Sequence, residues 1–325
     1  MNPEKPKLLL LSLGGTIAMT GNAQSGVKPT LTGADLLAAV PAIAPVAEIE
    51  PRSFRQVPGA QLSFEDIESL AIAIDAAEGY AGFIVTQGTD TIEETAFILD
   101  LIVQTDRPVV VVGGMRHPAQ MGADGPANLL AAARVAVSPD THNLGTLVVM
   151  NDEIHAARFV RKTHTANPAT FASPLAGPLG FVVEDRVRVL TRVARRLRIS
   201  LSSRPRTARV AVVQLGFDDA GEAIDAAIDA AFDGVVVQGL GGGHTSPAAA
   251  DAIERAARMV PVLVTSRAVG ETLASTYGFE GGEIDLQRRG ALRVSWLDGP
   301  KCRVLLTLVL RHDAARVREH IASWN

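Results

Sequence analysis

Residues 8–18 read LLLLSLGGTIA, an apolar run that stops abruptly at two glycines and a hydroxyl. The run is far shorter than the ~20 apolar residues of a membrane span. Lys5 and Lys7 before it imitate the start of a secretory signal, but no small-residue cleavage site follows the run. A continuous apolar run of this length is typical of a strand that is covered on both faces of a parallel sheet. We therefore predict a buried first strand that ends in a polar glycine turn.

Apolar runs of the same kind recur along the chain, and helix-length amphipathic or Ala-rich segments separate them. This alternation is typical of strand-helix units around a parallel sheet, so the fold class is α/β. Thr32 with Asp35 and Ser63 with Asp66 resemble capping boxes and predict two helix starts. Strands are predicted over residues 82–85, 108–112, 144–150, 210–215, 234–237 and 261–264, and helices over about 222–232 and 247–259.

The pattern changes after residue 179 and suggests a domain boundary. Two short extended runs, 181–183 and 187–190, predict a hairpin. Residues 192–209 then contain seven arginines and little apolar periodicity, which favours a linker. We predict an N-terminal α/β domain over 1–191, with a mostly parallel sheet, flanking helices and a C-terminal hairpin. The linker 192–209 and a smaller α/β domain over 210–325 would follow.

The composition narrows the class of protein. The chain has 325 residues, 47% of them hydrophobic and 20% charged, which is enough for about two globular domains. Its net charge of -4 is spread without long blocks of one sign, so neither nucleic acid nor a membrane surface is an expected partner. Cys302 is the only cysteine, which excludes an intrachain disulfide or a thiolate metal cluster and fits the cytoplasm.

Polar residues follow several predicted strands, at the sheet edge where α/β proteins bind ligands. Thr16 follows the first strand, and a Thr-Gln-Gly-Thr-Asp-Thr run over 86–91 follows the second. A threonine hydroxyl is a poor nucleophile unless a base or cation activates it, and Lys162 could do this. Helix capping is the ordinary alternative role for Thr16, Asp90, Thr91 and, in a later loop, Asp124.

A set of short segments together resembles the bacterial-type L-asparaginase family. The segments occur in the family's order and cover nearly the whole chain. They are GGTIA at 14–18, GTDT at 88–91 with EET at 93–95, GMR at 114–116, ADGP at 123–126, VMND at 149–152, KT at 162–163 and RVLL at 303–306.

The resemblance implies a two-domain amidohydrolase whose site lies at the carboxyl edge of the sheet of the N-terminal, catalytic domain. The reaction would convert the side-chain amide of L-asparagine to L-aspartate and ammonia. By matching positions, Thr16 would be the nucleophile that forms an acyl-enzyme, and Thr89, Asp90 and Lys162 would activate water or relay protons. Backbone N–H groups at Thr16 or Thr89 would stabilise the oxyanion. No metal or cofactor is implied.

The resemblance also implies how a small amide substrate is held. Gln61 would bind the substrate amino group, with Ala60 and Gly88 beside it. Family members form homodimers or homotetramers in which a neighbouring subunit completes each site, and Glu283 resembles the acid that it contributes. His244 would support that site from the end of a glycine loop.

Three departures from the family pattern affect these expectations. Ala60 stands where a serine usually holds the substrate carboxylate, so affinity for a free amino acid is expected to fall. Residues 19–32 lack the tyrosine that the family often presents there, since the tyrosines of the chain are Tyr80 and Tyr277. His244 replaces an asparagine.

Other classes of function remain as alternatives. A nucleotide-binding protein is suggested by Gly239-x-Gly241 after a predicted strand, but the third glycine is replaced by His244 and no phosphate loop occurs. A metal hydrolase is disfavoured because no His-Glu-x-x-His pair occurs. Within the family, glutamine, D-asparagine or another small amide could be the substrate, or the chain could be a non-catalytic binding relative.

Overall fold

The structure is a computed structural model that describes residues 5–15, 17, 19–22, 26–29, 31–194 and 198–325. The chain divides into two compact units, Met1–Arg195 and Arg196–Asn325. Each unit contains a sheet of mostly parallel strands with flanking helices, so the predicted α/β class is confirmed. The division falls inside the predicted linker, and the domain bounds 1–191, 192–209 and 210–325 stay a prediction.

An eight-stranded sheet forms the centre of the first unit, in the order β12-β11-β8-β7-β6-β5-β1-β4. In chain order the strands of this unit are β1 (Lys7–Ser12), β2 (Met19–Asn22), β3 (Gly26–Pro29), β4 (Glu48–Ser53), β5 (Gly82–Thr86), β6 (Val109–Val112), β7 (Thr146–Met150), β8 (Glu153–Ala156), β9 (Arg161–Lys162), β10 (Phe171–Ala172), β11 (Gly180–Val183) and β12 (Arg186–Val189). Across the sheet, neighbouring strands pair in parallel from β4 through β1, β5 and β6 to β7. The pairs β7–β8, β8–β11 and β11–β12 are antiparallel. The predicted terminal hairpin is the β11–β12 pair.

Helices pack against the parallel strands of this sheet. They are α1 (Gly33–Ala38), α2 (Phe64–Ala76), α3 (Ile92–Ile102) and α4 (Gly125–Val137). Thr32 and Ser63 each form the predicted capping box with an aspartate three residues later, which explains where α1 and α2 begin. The four leucines 8–11 are buried in β1, which lies between β4 and β5 in the sheet, as the continuous apolar run predicted.

The second unit has a four-stranded parallel sheet in the order β13-β14-β15-β16. Its elements are β13 (Val210–Gln214), α5 (Glu222–Asp229), β14 (Gly234–Gly239), α6 (Pro247–Ala257), β15 (Val262–Ser266), α7 (Glu283–Arg288), β16 (Leu292–Arg293), α8 (Gly299–His312) and α9 (Val317–Ala322). Val235 and Val237 of β14 pack with Ile253 of α6 and Val262 of β15 in its core. Among the described residues, no helix is both long and apolar enough to cross a membrane.

A histidine is buried in the first unit on β8, the strand that precedes the loop to Lys162. His155 has no exposed surface, and its Nδ1 lies 3.0 Å from Ser173 Oγ. Its Nε2 lies 3.1 Å from a carboxylate oxygen of Glu153 but without the alignment of a hydrogen bond. Burial lowers the pKa of His155 to about 4 and raises the pKa of Glu153. His155 is therefore neutral in the folded protein.

The burial of His155 predicts a loss of stability in mild acid. An unfolded histidine binds a proton below pH ~6.5, whereas the folded one does so only below about 4, so stability falls as the pH falls between these values. From pH 7 to pH 5 this amounts to about 2 kcal/mol of unfolding free energy. Urea denaturation at both values should show that His155→Gln flattens this dependence. His142→Gln, at an exposed histidine, should leave it unchanged. Equal pH dependence in wild type and His155→Gln would contradict the assignment.

Candidate active site

The loops that follow β1 and β5 leave the sheet side by side. The two strands are adjacent and parallel, with Ser12 opposite Thr86, and the Leu13 N–H donates to the Thr86 carbonyl. The chain after β4 joins them at the same edge, because the N–H groups of Phe54 and Arg55 both bond to the Ser12 carbonyl. Three loops therefore meet beyond the carboxyl ends of β1, β4 and β5, where parallel sheets bind ligands.

These loops meet through glycines, without side chains between them. A Cβ on Gly15 would lie 1.9 Å from the Gly88 nitrogen, and a Cβ on Gly59 would lie 3.0 Å from the Gly88 carbonyl oxygen. Gly15 also has a φ of +86°, which disfavours any other residue. We call Gly15, Gly59 and Gly88 the glycine junction. It brings three backbone segments closer than any side chain would permit.

Lys162 reaches the loop after β5 and joins two of the predicted catalytic residues. Its Nζ donates to Thr89 Oγ1 at 2.9 Å and to Asp90 Oδ1 at 3.1 Å. Thr89 is buried, and the Lys162 side chain is only 17% exposed, whereas the Asp90 carboxylate is 67% exposed. The ammonium is thus shielded on the Thr89 side and open to solvent at the carboxylate. The structure brings Thr89, Asp90 and Lys162 together.

A separate set of contacts fixes the position of Lys162. It lies on β9, which pairs with β10 so that Lys162 stands opposite Phe171. Its own N–H donates to a carboxylate oxygen of Glu93 at 2.7 Å. Glu93 lies in the first turn of α3, just after Asp90 in the sequence. Glu93 belongs to one of the segments that resemble the family, but no role was predicted for it.

The predicted nucleophile, Thr16, lies outside the described residues. Its chain neighbours are Gly15, which belongs to the glycine junction, and Ile17, which is buried. Thr89 immediately follows Gly88 in the sequence, so the junction lies one residue from each predicted catalytic threonine.

The predicted substrate-binding residues Ala60 and Gln61 lie in a short 3₁₀ turn, Gly59–Gln61, and both are exposed. This turn packs against another 3₁₀ turn, Thr89–Thr91. The structure therefore brings Ala60 and Gln61 into the same group of loops as Gly88 and Thr89.

Two residues that were expected as possible helix caps do something else. Thr91 precedes α3 but makes no capping hydrogen bond; its hydroxyl donates to the Gly59 carbonyl at 3.1 Å and accepts from Gln87 Nε2 at 3.1 Å. Asp124 precedes α4 and also does not cap it, because its carboxylate accepts from the N–H groups of Met115 and Arg116. Both side chains tie loops together instead.

The second unit holds the other two predicted residues, His244 and Glu283, in contact with each other. His244 Nε2 lies 3.1 Å from Glu283 Oε2, and the other oxygen of Glu283 accepts from the N–H groups of Thr276 and Tyr277. Burial acts to raise the pKa of Glu283, but these backbone donors and His244 outweigh it and hold the pKa below its usual range. Glu283 is thus a buried, ionised carboxylate at the start of α7.

Aromatic side chains surround this pair. The His244 ring meets the Tyr277 ring edge-on at 5.1 Å and the Phe279 ring edge-on at 5.2 Å between centroids. Tyr277 and Phe279 are themselves exposed large side chains, as is the nearby Leu273. The pair therefore lies beside an exposed apolar surface, formed by Leu273, Tyr277 and Phe279, which we call the aromatic rim.

The glycine loop before His244 is closed on itself. The N–H groups of Gly243 and His244 both bond to the Leu240 carbonyl, and the Leu240 N–H bonds to the His244 carbonyl. These two N–H groups are used inside the loop, so they are not offered to a phosphate, as a nucleotide-binding loop would require. In the part of the chain that the structure describes, no group of three or more His, Cys, Asp or Glu side chains is arranged to hold a metal ion.

Comparison with family models gives two matches that follow one another along the chain. Residues 7–195 match the model described as asparaginase, N-terminal. Residues 209–321 match the model described as glutaminase/asparaginase C-terminal domain.

Individual proteins match over nearly the full length. An L-asparaginase of Bacillus licheniformis is 33% identical over 308 residues, which cover 94% of this chain and 95% of that protein. A probable periplasmic L-asparaginase of Haemophilus influenzae is 34% identical over 318 residues, with coverages of 94% and 88%. The crystal structure of a probable cytoplasmic L-asparaginase from Campylobacter jejuni superposes with a TM-score of 0.87 at 31% identity and covers 98% of this chain and 100% of its own.

The glycine junction predicts a steep cost for one added methyl group. Gly15→Ala places a Cβ against the Gly88 backbone in addition to straining a φ of +86°, so the loops must separate. Gly79→Ala is a matched control, because Gly79 has a φ of +78° and nothing within 4 Å of the added Cβ. We expect the control to lose about 1 kcal/mol of unfolding free energy and Gly15→Ala at least about 2 kcal/mol more. Urea denaturation followed by circular dichroism measures both, and equal losses would refute the junction.

Proposed function

The chain belongs to the bacterial-type L-asparaginase family, and on that premise we propose that it converts L-asparagine to L-aspartate and ammonia through an acyl-enzyme on Thr16. Family membership makes the chain an L-asparaginase-like amidohydrolase, a hydrolase of a linear amide C–N bond that is not a peptide bond. The observation that carries the mechanistic part is the Lys162 ammonium held on Thr89 and Asp90 beside the glycine junction.

In the first half of the proposed reaction the Thr16 hydroxyl attacks the carbonyl carbon of the side-chain amide. Its proton passes to the leaving nitrogen, the C–N bond breaks and ammonia departs, leaving the acyl group as an ester on Thr16. Backbone N–H groups at Thr16 or Thr89 stabilise the oxyanion, a contribution of about 3 kcal/mol for each well-placed donor. The positive charge of Lys162 favours the same step because negative charge builds up nearby.

In the second half, water attacks the ester carbonyl, and the C–O bond to Thr16 breaks. Thr89 is suited to orient that water, because Lys162 already donates to its oxygen and leaves the Thr89 proton free to move. The exposed carboxylate of Asp90 holds Lys162 from the other side. Aspartate leaves, and Thr16 recovers its proton.

Substrate recognition is proposed to use the exposed Gly59–Gln61 turn. Gln61 binds the substrate amino group, and Asp90 adds a negative charge beside it. Gly88 and Ala60 line the remaining space, and the absence of a hydroxyl at position 60 predicts weaker holding of the α-carboxylate. Because residues 19–32 lack a tyrosine, we propose that Thr16 is assisted by another group.

A second candidate substrate is glutamine. The match of residues 209–321 to a model described as glutaminase/asparaginase supports it. The two amides differ by one methylene, which a pocket discriminates by only about 1–3 kcal/mol. D-Asparagine and other small amides, or a non-catalytic binding role, are the remaining alternatives that a substrate panel separates.

We propose that the active form is a homodimer or homotetramer in which Glu283 and His244 serve the site of a neighbouring subunit. Two features support this. Glu283 is held ionised by backbone donors, as an acid that binds an ammonium group must be. The aromatic rim beside it is an exposed apolar surface of the kind that subunit contacts cover.

A cytoplasmic location is also proposed. The single cysteine, Cys302, is buried and can form no intrachain disulfide, which fits a reducing compartment. The similar Campylobacter jejuni structure is named cytoplasmic, whereas the Haemophilus influenzae relative is named periplasmic.

The acyl-enzyme predicts a strict need for the Thr16 hydroxyl. Ammonia release should be measured from L-asparagine, D-asparagine, L-glutamine and asparaginyl peptides. We expect turnover of L-asparagine by wild type, a loss of at least about 1,000-fold in kcat for Thr16→Ala, and partial retention in Thr16→Ser, which keeps a hydroxyl. Thr16→Ala with near-normal turnover would overturn the mechanism. Silence of the folded wild type on every amide would favour the binding relative.

The shared site predicts that two inactive variants restore each other. In a dimer of Thr16→Ala with Glu283→Gln, one site receives both native residues, so a randomly mixed and reassembled pool should regain about a quarter of wild-type activity. Thr16→Ala mixed with Lys162→Met is the control, because both changes lie on the same side of every site and no native site forms. Failure of the first mixture to regain activity, or recovery in the control, would refute the arrangement.

A further inference from the structure

One side chain that links the 3₁₀ turns Gly59–Gln61 and Thr89–Thr91 is not explained by the chemistry proposed above. The Thr91 hydroxyl donates to the Gly59 carbonyl and accepts from Gln87 Nε2, each at 3.1 Å. We call Gln87, Thr91 and Gly59 the Thr91 latch. It joins residues that are 32 positions apart in the sequence, one in each turn.

In the latch the Thr91 hydroxyl both donates and accepts a hydrogen bond. A threonine hydroxyl can donate one hydrogen bond, and it donates it to the Gly59 carbonyl, while one of its lone pairs accepts the hydrogen bond from Gln87 Nε2. Hydrogen bonds in such a chain polarise and strengthen one another. Gln87 has no exposed surface, so water does not compete for its end of the chain.

One side of the latch is anchored in the core, and the other is held by backbone contacts. Thr91 precedes α3, whose Ile92 and Ala96 are fully buried, so the position of Thr91 is set by the core. The Gly59–Gln61 turn is held locally by the Gln61 N–H on the Pro58 carbonyl. Ala60 and Gln61 are exposed and therefore gain little support from packing. The latch transmits the rigidity of α3 to this turn.

The glycine junction alone does not replace this link. Gly59 and Gly88 approach closely, but van der Waals contact between two backbones lets them slide along each other, whereas a hydrogen bond fixes a direction. The Gly59 carbonyl also accepts from the Leu62 N–H at 3.2 Å, so the latch holds the same peptide group that closes the turn.

We propose that Thr91 is a positioning residue that sets the Gly59–Gln61 turn at its distance from Thr89 and Asp90. The proposal rests on the assignment of Gln61 to the substrate amino group and of Thr89 to the reaction. Thr91 belongs to neither set, so it acts on the reaction through the turn. Loss of the latch should therefore weaken substrate binding more than it slows the reaction of the bound substrate.

The kinetic test compares Thr91→Val, which removes the hydroxyl at equal volume, with Thr91→Ser, which keeps it. For the amide that wild type hydrolyses, Thr91→Val should raise KM about tenfold and change kcat by less than about twofold, and Thr91→Ser should restore KM. Thr307→Val is the control, because the Thr307 hydroxyl is buried without a hydrogen-bond partner among the described residues. Thr91→Ala carries the same expectation as Thr91→Val and replaces it if the valine variant does not fold.

A second measurement is independent of catalysis. In Thr91→Val, the amides of Gln61 and Leu62 should exchange hydrogen about tenfold faster than in wild type, while Thr91→Ser and Thr307→Val should match wild type. If the wild type hydrolysed none of the amides, the proposed function would be wrong. The hydrogen-exchange rates would still test whether the latch holds the turn. Unchanged KM and exchange in Thr91→Val, or equal impairment in Thr91→Ser, would overturn it.

Discussion

The contact between the backbones of Gly15 and Gly88 is the constraint on which the rest of the site depends. The two glycines lie in the loops that follow adjacent parallel strands, and their separation leaves no space for a Cβ. Each precedes a predicted catalytic threonine in the sequence, so the backbone contact lies one residue from both of them along the chain. Gly59 adds the third loop, because its backbone also approaches that of Gly88. Side chains of ordinary size would hold these loops several ångströms further apart.

The cationic group reaches this junction from far along the chain, and the fold supplies two restraints to hold it. Lys162 is 73 residues from Thr89, and the pairing of β9 with β10 and the Glu93 carboxylate fix its backbone. A lysine side chain loses much conformational freedom on being held in one geometry. Because the Lys162 backbone is already fixed by two contacts, only the conformational entropy of the side chain is lost when the ammonium is held in place. The position of the charge is therefore a property of α3 as much as of Lys162.

Local patterns predicted the features whose causes are local. Continuous apolar runs predicted the strands β1, β5 and β6. The capping boxes at Thr32 and Ser63 were predictable because each involves residues only three positions apart. The strand β4 was not predicted because it is polar and contains Pro51. It lies at the edge of the sheet, where a proline is tolerated. The roles of Thr91 and Asp124 were not predictable from spacing, since a hydroxyl or carboxylate before a helix can cap it or bond to a distant loop. Which of these two roles the side chain takes depends on the tertiary contacts of the residues around it.

The second unit also contains a contact that local patterns did not predict. Glu283 and His244 were assigned from separate segments, and the structure brings them within hydrogen-bond distance because the glycine loop after β14 folds back on itself and faces the start of α7. Backbone donors keep the acid ionised although it is buried. An acid that is already desolvated and oriented loses little when it meets a positively charged group. The histidine that departs from the family pattern is thus a partner of the acid, and its ring joins the acid to the aromatic rim.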